Sequence, residues 1–454
     1  MDSKLNPFRL NAVLAPTDFI GREHILRHVA LAMASLQSVS VLAERRTGAT
    51  SLLRHLANCN VSTQIGLPHS YVPLYFDFQS LSIQAGQTNF WQAIVNAIAA
   101  EVPYRHLSHS ESVEQILATA EESLVHGRIG RIGRMFSELE HIGLKFNLLL
   151  DEFEFTAQNQ RFGVPFYDHL RSLTSMARNI SFVIATRTSL RRLEEMSYSH
   201  SALHSSPLFN IFTTIALQPF EEDEVHDLIY RYFQQANPDH TLAEKLAAQM
   251  PFLYDITGYH PFFVQLLCYH LYSKLDCAEW PLGKARAEAI RAFKRDAVPH
   301  FEYYWSTSSD TERRWLYNLA SHQPIADGPQ IRSLVDRCLV IVDPSPENEY
   351  RLFSSAFADW CLNNGLQTDH YSVTRVSQRE HLMELRRMLS TRFNEGELRS
   401  LCFDLNVDYG DLPGEGKAAK ARELVDHLGR RNRIPELLEL CKKQRPDISW
   451  DVEN

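Results

Sequence analysis

Val39 to Leu53 reads VSVLAERRTGATSLL: a short apolar run, a turn-like segment, then a helix-like run. Residues 43–50 overlay the phosphate-binding pattern G-x-x-x-x-G-K-[ST] at Gly48 and Thr50, with Ala43 in the first position and Ala49 in the lysine position. Such a loop follows a strand and opens a helix. Its successive backbone N–H groups, here from Arg46, Thr47, Gly48, Ala49, Thr50 and Ser51, point at phosphate, and the helix dipole adds to the attraction. Gly48 would let the backbone approach closely. Thr50 would offer its hydroxyl to Mg²⁺, and a lysine normally reaches the β- and γ-phosphates. Ala43 is a mild departure, because only a small residue is needed there. Ala49 is a severe one, because a methyl group cannot compensate phosphate charge.

Two further segments turn this frame into a site. Phe146 to Phe153 reads FNLLLDEF, which predicts a buried parallel strand ending in Asp151 and Glu152. In loop-type NTPases the first acid of such a pair holds Mg²⁺ and the second polarises the attacking water. Ile180 to Arg187 reads ISFVIATR, a second buried strand, ending in Thr186 and Arg187, where an arginine can sense the γ-phosphate. Phosphate, metal and sensor groups at successive strand ends fit a nucleotide site on an open α/β sheet.

In order, the segments NPF (Asn6–Phe8), FIGRE (Phe19–Glu23), AERRTGATSLLRHL, LLLDEFE and FVIATR resemble the STAND branch of the AAA+ ATPases. The resemblance continues through TGYHPFFVQLLCYHL (Thr257–Leu271) and YRLFSSAFADWC (Tyr350–Cys361) and covers roughly residues 6–364. It implies a switch that holds ATP or ADP with Mg²⁺ between an NTPase core and a helical plus winged-helix arm. It also implies that Arg22, His260 and Pro261 belong to the nucleotide contacts, with the Pro261 position packing on the adenine.

Composition agrees. The chain has 454 residues, with 44% hydrophobic and 22% charged residues, ordinary for globular domains. No apolar stretch reaches the roughly 18 residues of a membrane span, and the N-terminus lacks a secretory h-region. Seven scattered cysteines without a C-x-x-C pair favour a reduced cytoplasm over a structural zinc site. The i, i+4 pairs His24/His28 and His200/His204 read as ordinary histidines. Residues 371–454 carry 15 basic and 15 acidic residues, so the net charge of −9 falls on the first 370. An acidic body disfavours broad nucleic-acid binding.

Beyond the core, Glu221 and Glu222 followed by Val225, Leu228, Ile229 and Tyr232 predict an amphipathic helix. Thr241 is expected to N-cap a second, and Pro261 opens a nearly all-apolar, buried helix to Leu275. A winged helix is expected from helices at Asp310–Leu319 and Ile331–Val335 and wing strands at Leu339–Val342 and Tyr350–Phe353. Its recognition-helix segment balances Arg332 and Arg337 with Asp336, thin for DNA contact, so an intramolecular clamp is the preferred reading.

After a polar linker, apolar repeats at Leu382–Leu389, Leu398–Leu405, Ala421–Leu428 and Ile434–Cys441 predict four short helices. Leu385 to Ile448 resembles a bacterial effector-associated domain of the seventh type, a death-fold-like adaptor. The longest shared stretch is LCFDLNVDYGDLPGEGKAAKARELV. That resemblance implies recruitment of an effector carrying a matching domain by like-with-like contact. Lys417, Lys420, Arg430 and Arg431 opposed to Glu395 and Asp411 are the candidate partner-binding charges.

The expected fold is an α/β P-loop NTPase core with a parallel sheet, a helical lid, a winged helix and a C-terminal all-α, death-like helical bundle. The boundaries are 1–190 for the core, 191–280 for the lid, 281–365 for the winged helix, 366–378 for the linker and 379–454 for the adaptor. The expected function is a cytoplasmic, nucleotide-dependent signalling switch in prokaryotic antiviral defence or regulated cell death. It would self-associate, answer a trigger that could be another protein, and use neither membrane nor nucleic acid. Ala49 leaves turnover open. The chain is either a natural pseudo-ATPase scaffold or an ATPase whose lysine was replaced, and the intact remainder of the site favours the second. A winged-helix nucleic-acid-binding regulator is the alternative from another class.

Overall fold

In the computed structural model the described residues are 6–364 and 385–445, apart from 9, 11–18, 83, 105–109, 199–207, 237–239, 276–281, 324, 326–327, 343–349, 386–387, 391, 406, 410–411, 413–415 and 430–432. Five runs rich in β-branched and aromatic residues form one parallel sheet. They are β1 (Ser38–Leu42), β2 (Tyr71–Asp77), β3 (Lys145–Asp151), β4 (Ile180–Thr186) and β5 (Phe212–Ala216), in the order β2-β3-β4-β1-β5. Parallel pairing requires crossover helices, and these bury both faces of the sheet. On one face Leu74, Phe76, Phe146, Leu148 and Leu150 pack with an aromatic group of Phe78, Phe90, Phe153, Phe162 and Phe166. On the other, Val39, Val41, Leu149 and Val183 pack against Val29, Met33, Leu52 and Leu56.

Register sets the site. Leu42 lies beside Thr186, and Leu150 beside Ile184, so the carboxyl ends of β1, β4 and β3 finish side by side at one edge of the sheet. The chain order of the motifs does not reveal this adjacency; the strand order does.

The arm that follows contains the helices Glu222–Ala236, His240–Ala247, Met250–Thr257, Pro261–Leu275 and Leu282–Ser306. The second of these helices begins at His240, one residue before the expected cap position Thr241. Helices Asp310–Ala320 and Pro329–Asp336 come next, then the antiparallel pair β6 (Val340–Val342) and β7 (Tyr350–Leu352), and a helix from 355. Ser309 caps the first of these through a capping box with Glu312. The pieces are joined by an aromatic cluster: Phe263 lies 5.3 Å from Phe301 and 5.9 Å from Phe353, and Phe301 lies 5.2 Å from Phe357. Asn6 of the N-terminal NPF segment donates to the Tyr269 carbonyl at 2.9 Å, and Phe8 stacks on Tyr232, so this segment docks on the arm.

Met1–Trp360 forms one compact unit and Cys361–Asn454 a second. In the second, helices Glu395–Asp404, Lys417–Gly429 and Ile434–Gln444 enclose Leu389, Leu398, Leu401, Leu424, Val425, Leu437 and Cys441. Asn394 and Glu397 form a capping box at the start of the first. The expected linker at 366–378 and the apolar repeat at Leu382 lie outside the described residues.

Gly258 ends the helix Met250–Thr257 with φ +55°, and a Cβ there would stand 2.0 Å from the Phe353 carbonyl oxygen. Close approach of two backbones demands glycine here more than turn formation does. Gly258→Ala is therefore expected to destabilise the protein by about 2 kcal/mol or more, read as a lowered denaturant midpoint.

Candidate nucleotide site

The loop after β1 is built as its sequence predicts. Ala43 N–H donates to the Thr186 carbonyl at 3.0 Å, which ties the loop to β4. Thr47 turns back on the loop, its hydroxyl donating to the Glu44 carbonyl at 2.7 Å. Gly48 takes φ +102°, with open space where a Cβ would sit, and serves as N-cap of the helix Ala49–Ala57 without a side-chain cap. The first N–H groups of that helix therefore face the cavity mouth.

That cavity measures about 310 Å³. Its lining includes Arg22, Arg46, Thr47, Gly48, Ala49, Thr50, Ser51, Asp151, Glu152, Arg187 and Pro261. Residues from five separate segments thus meet at one place. His260 is absent from the lining: its ring is buried, with Nε2 3.3 Å from the Tyr304 hydroxyl. Burial and the charges of Arg22 and His300 lower its pKa to about 3, so it is neutral. It packs the arm instead of facing a ligand.

At the strand ends, Asp151 is 3% exposed and accepts from the Tyr75 hydroxyl at 3.0 Å. Burial raises its pKa, while hydrogen bonds from Thr50 and Tyr75 oppose that shift. The Thr50 hydroxyl and the Asp151 carboxylate are therefore neighbours, a pair of hard oxygen ligands at the helix start that fits a partly hydrated Mg²⁺. Glu152 adopts φ +53° and pairs with the Arg187 guanidinium. Burial, with Glu154 adding, pushes the Glu152 carboxyl up to about 7 against the pull of Arg187. Arg187 also binds Glu154 at 2.5 Å through Nε and donates to the Tyr303 hydroxyl at 2.8 Å through Nη1. Burial works against its charge, but the two glutamates more than offset that.

Arg22 is buried at the opposite end, held in the left-handed region with φ +62°. Its guanidinium donates to the Gln218 carbonyl at 2.5 Å and the Thr47 carbonyl at 3.1 Å. Its own backbone N–H donates to Glu224. Burial lowers it to about 10. Arg22 thus joins the phosphate loop to the start of the arm. Arg46 lies over the Phe262 ring at 5.0 Å, beside Pro261.

Three contributors were not singled out in the sequence: Glu44, Glu154 and the Tyr303–Tyr304 pair. Glu44 is 5% exposed and forms an ion pair with Arg337 at 2.7 Å. Arg337 also donates to Ser308 and Thr307, both at 2.9 Å, while the Tyr304 hydroxyl donates to the Arg45 carbonyl at 3.2 Å. The acid spacing in LLLDEFE was the only available signal for Glu154; none marks the tyrosines.

In the second unit, the Lys417 ammonium donates to the Phe393 carbonyl at 2.9 Å and Lys420 to the Leu412 carbonyl at 2.5 Å. Glu395 pairs with Arg399 at 2.9 Å. Arg430, Arg431 and Asp411 lie outside the described residues. Phe403 is 84% exposed.

The five-stranded parallel sheet with a phosphate loop after β1 defines a P-loop ATPase fold. Residues 133–325 match the family model for Novel STAND NTPase 2, and residues 385–446 match Effector-associated domain 7. The chain is a STAND-type NTPase with a C-terminal effector-associated domain of the seventh type. Among solved structures it is similar to the Walker-type ATPase of Pyrococcus abyssi, at 15% identity and TM-score 0.51, over 78% of this chain and 99% of that one. The ORC2 protein of Aeropyrum pernix, solved as ADPNP–ADP complexes, gives 12% identity and TM-score 0.47 over 81% and 98%. No curated protein matches the chain.

The Glu44–Arg337 pair generates a test. Removing one member of a buried pair strands the other's charge, so Arg337→Ala is expected to cost about 3 kcal/mol in chemical denaturation. The double variant Glu44→Gln/Arg337→Ala should lose clearly less than the sum of the two single changes.

Proposed function

We propose that this chain is a nucleotide-dependent signalling switch: its first unit binds ATP or ADP with Mg²⁺, and its C-terminal bundle recruits an effector of matching type. The observation that carries the reading is the convergence of the phosphate loop, the two strand-end acids, Arg187 and Pro261 on one cavity. When bound, a magnesium–adenine nucleotide supplies the phosphoanhydride bond and divalent charge. The backbone N–H groups of Arg46 to Ser51 cradle the phosphates. Thr50 and Asp151 hold the metal, and Pro261 with Phe262 offers an apolar face to the base. Glu152 takes a proton from the attacking water, and Arg187 senses the terminal phosphate.

The segment 310–360 serves in this reading as a winged-helix clamp on the loop. Arg337 supports that role over DNA contact, because its guanidinium is consumed by Glu44, Ser308 and Thr307. The clamp, the boundaries within the first unit, self-association and a setting in antiviral defence or regulated cell death are parts of the proposal. So is a cytoplasmic location. Among the described residues no helix is long and apolar enough to cross a membrane.

Ala49 lines the cavity where the lysine of the motif would stand. The Ala49 chain should therefore hydrolyse ATP negligibly, and Ala49→Lys should raise phosphate release at least about tenfold. Adding Glu152→Gln to that background should keep nucleotide and lose about a hundredfold in turnover. Brisk hydrolysis by the Ala49 chain, or by the glutamine form, would contradict these roles.

For the adaptor, the 84% exposed Phe403 is the natural contact point, because an isolated aromatic ring gains most from burial against a partner. Phe403→Ser should abolish capture of a bundle-bearing effector, or self-association, in a pull-down and sedimentation assay. The melting temperature should move by less than about 2 °C, since the ring is not part of the core.

A further inference from the structure

Arg187 stands in the wall between two cavities. One is the nucleotide cavity; the other, about 630 Å³, opens on the far side and is lined by Glu154, Tyr303, Thr307 and Arg192 among others. The guanidinium has three different partners in this wall: Glu152, Glu154 at 2.5 Å, and the Tyr303 hydroxyl at 2.8 Å. Tyr303 belongs to the last turn of the long arm helix Leu282–Ser306. Glu154 is 4% exposed, and its second carboxylate oxygen has no hydrogen-bond partner among the described residues. Among the described residues Arg187 is the only cation paired with Glu154. A buried carboxylate with one cationic partner holds that partner strongly, because losing it leaves an unpaired charge in a poorly solvated place.

A terminal phosphate entering the cavity would compete with this carboxylate for the same guanidinium. A diphosphate lacks that group. Room on both sides of Arg187 allows the side chain to turn toward the loop, and any such turn must surrender the bond to Tyr303.

We propose that Glu154 is a positioning residue that sets how readily Arg187 is drawn to a third phosphate, and that Tyr303 converts that draw into release of the arm helix. This rests on reading the cavity as a nucleotide site. Arg187 is then both sensor and tether. Glu154 sets the discrimination between triphosphate and diphosphate. Tyr303 carries the result to the arm, with no contact to nucleotide itself.

The test uses the full-length chain with Ala49→Lys. ATP and ADP affinities are measured with Mg²⁺ by displacement of a fluorescent adenine nucleotide, and amide hydrogen exchange is followed over Pro299–Ser306 in each nucleotide. Glu154→Gln keeps the shape and removes the charge. It should raise the preference for ATP over ADP by about fivefold or more, with ADP affinity unchanged. Glu154→Asp, which keeps the charge, should stay within about twofold of the parent preference. Tyr303→Phe should leave ADP affinity in place, raise ATP affinity because the bond to Tyr303 no longer has to be broken, and abolish the difference in exchange between the ATP and ADP states. An unchanged preference in folded Glu154→Gln, an aspartate variant that behaves like the glutamine one, or a persisting exchange difference in Tyr303→Phe would each overturn the proposal. In those cases ADP binding to the parent chain still supports the nucleotide site. Absence of ADP binding in the parent overturns both.

Discussion

Glu44 is a carboxylate buried inside a phosphate-binding loop, and the structure around the site depends on neutralising it. An unpaired carboxylate there would destabilise the loop and repel any phosphate brought to it. Its cation is Arg337, 293 residues away in sequence and 2.7 Å away in space. Bringing Arg337 there requires the helix Pro329–Asp336 to end at the loop, with Arg337 as its C-cap residue. The other side of the loop is fixed by Arg22, whose guanidinium spans from Thr47 to Gln218. The phosphate loop is thus held from two directions by charges belonging to different parts of the first unit. Whatever enters the cavity acts on both.

Much of this was legible in the sequence. The strand–loop–helix at Val39–Leu53 could be read because its apolar run, glycine and hydroxyl sit at fixed offsets. The acids at Asp151 and Glu152 could be read because the apolar strand run stops at them, although Asp151 itself is buried. Helix limits in the arm came close at Pro261, a local start signal, and at Asp310, where the observed helix also begins. The local reading failed where a residue's role is set by a distant partner. Arg337 read only as a charge too thin for DNA contact, in a segment preferred as an intramolecular clamp; its partner, the buried Glu44, could not be named from the sequence. His260 read as a nucleotide contact and is a buried, neutral packing residue, because the neighbouring Tyr304 could not be foreseen. Thr241 read as a cap, but the helix begins a residue earlier.

The C-terminal bundle shows the same division. Its core follows directly from the leucine periodicity, and Asn394–Glu397 mark a helix start. Its charged surface was less readable. Lys417 and Lys420 looked like solvent-facing patch residues, yet their ammonium groups close on the carbonyls of Phe393 and Leu412. Lysine's long stem permits both outcomes, and only the fold decides between them. Phe403, by contrast, sits on the exposed side of its helix, where an apolar repeat would not place it.

The central claim is that the cavity at the ends of β1, β3 and β4 is a nucleotide site shaped by the backbone of its loop. Isothermal titration of Mg·ADP into the full-length chain, alongside Gly48→Val, tests it most directly. Valine is β-branched and cannot adopt the φ of +102° that Gly48 holds without strain. The account predicts one ADP per chain for the parent and loss of binding in Gly48→Val, with the fold retained. Equal binding by both proteins, or no binding by the parent, would contradict it.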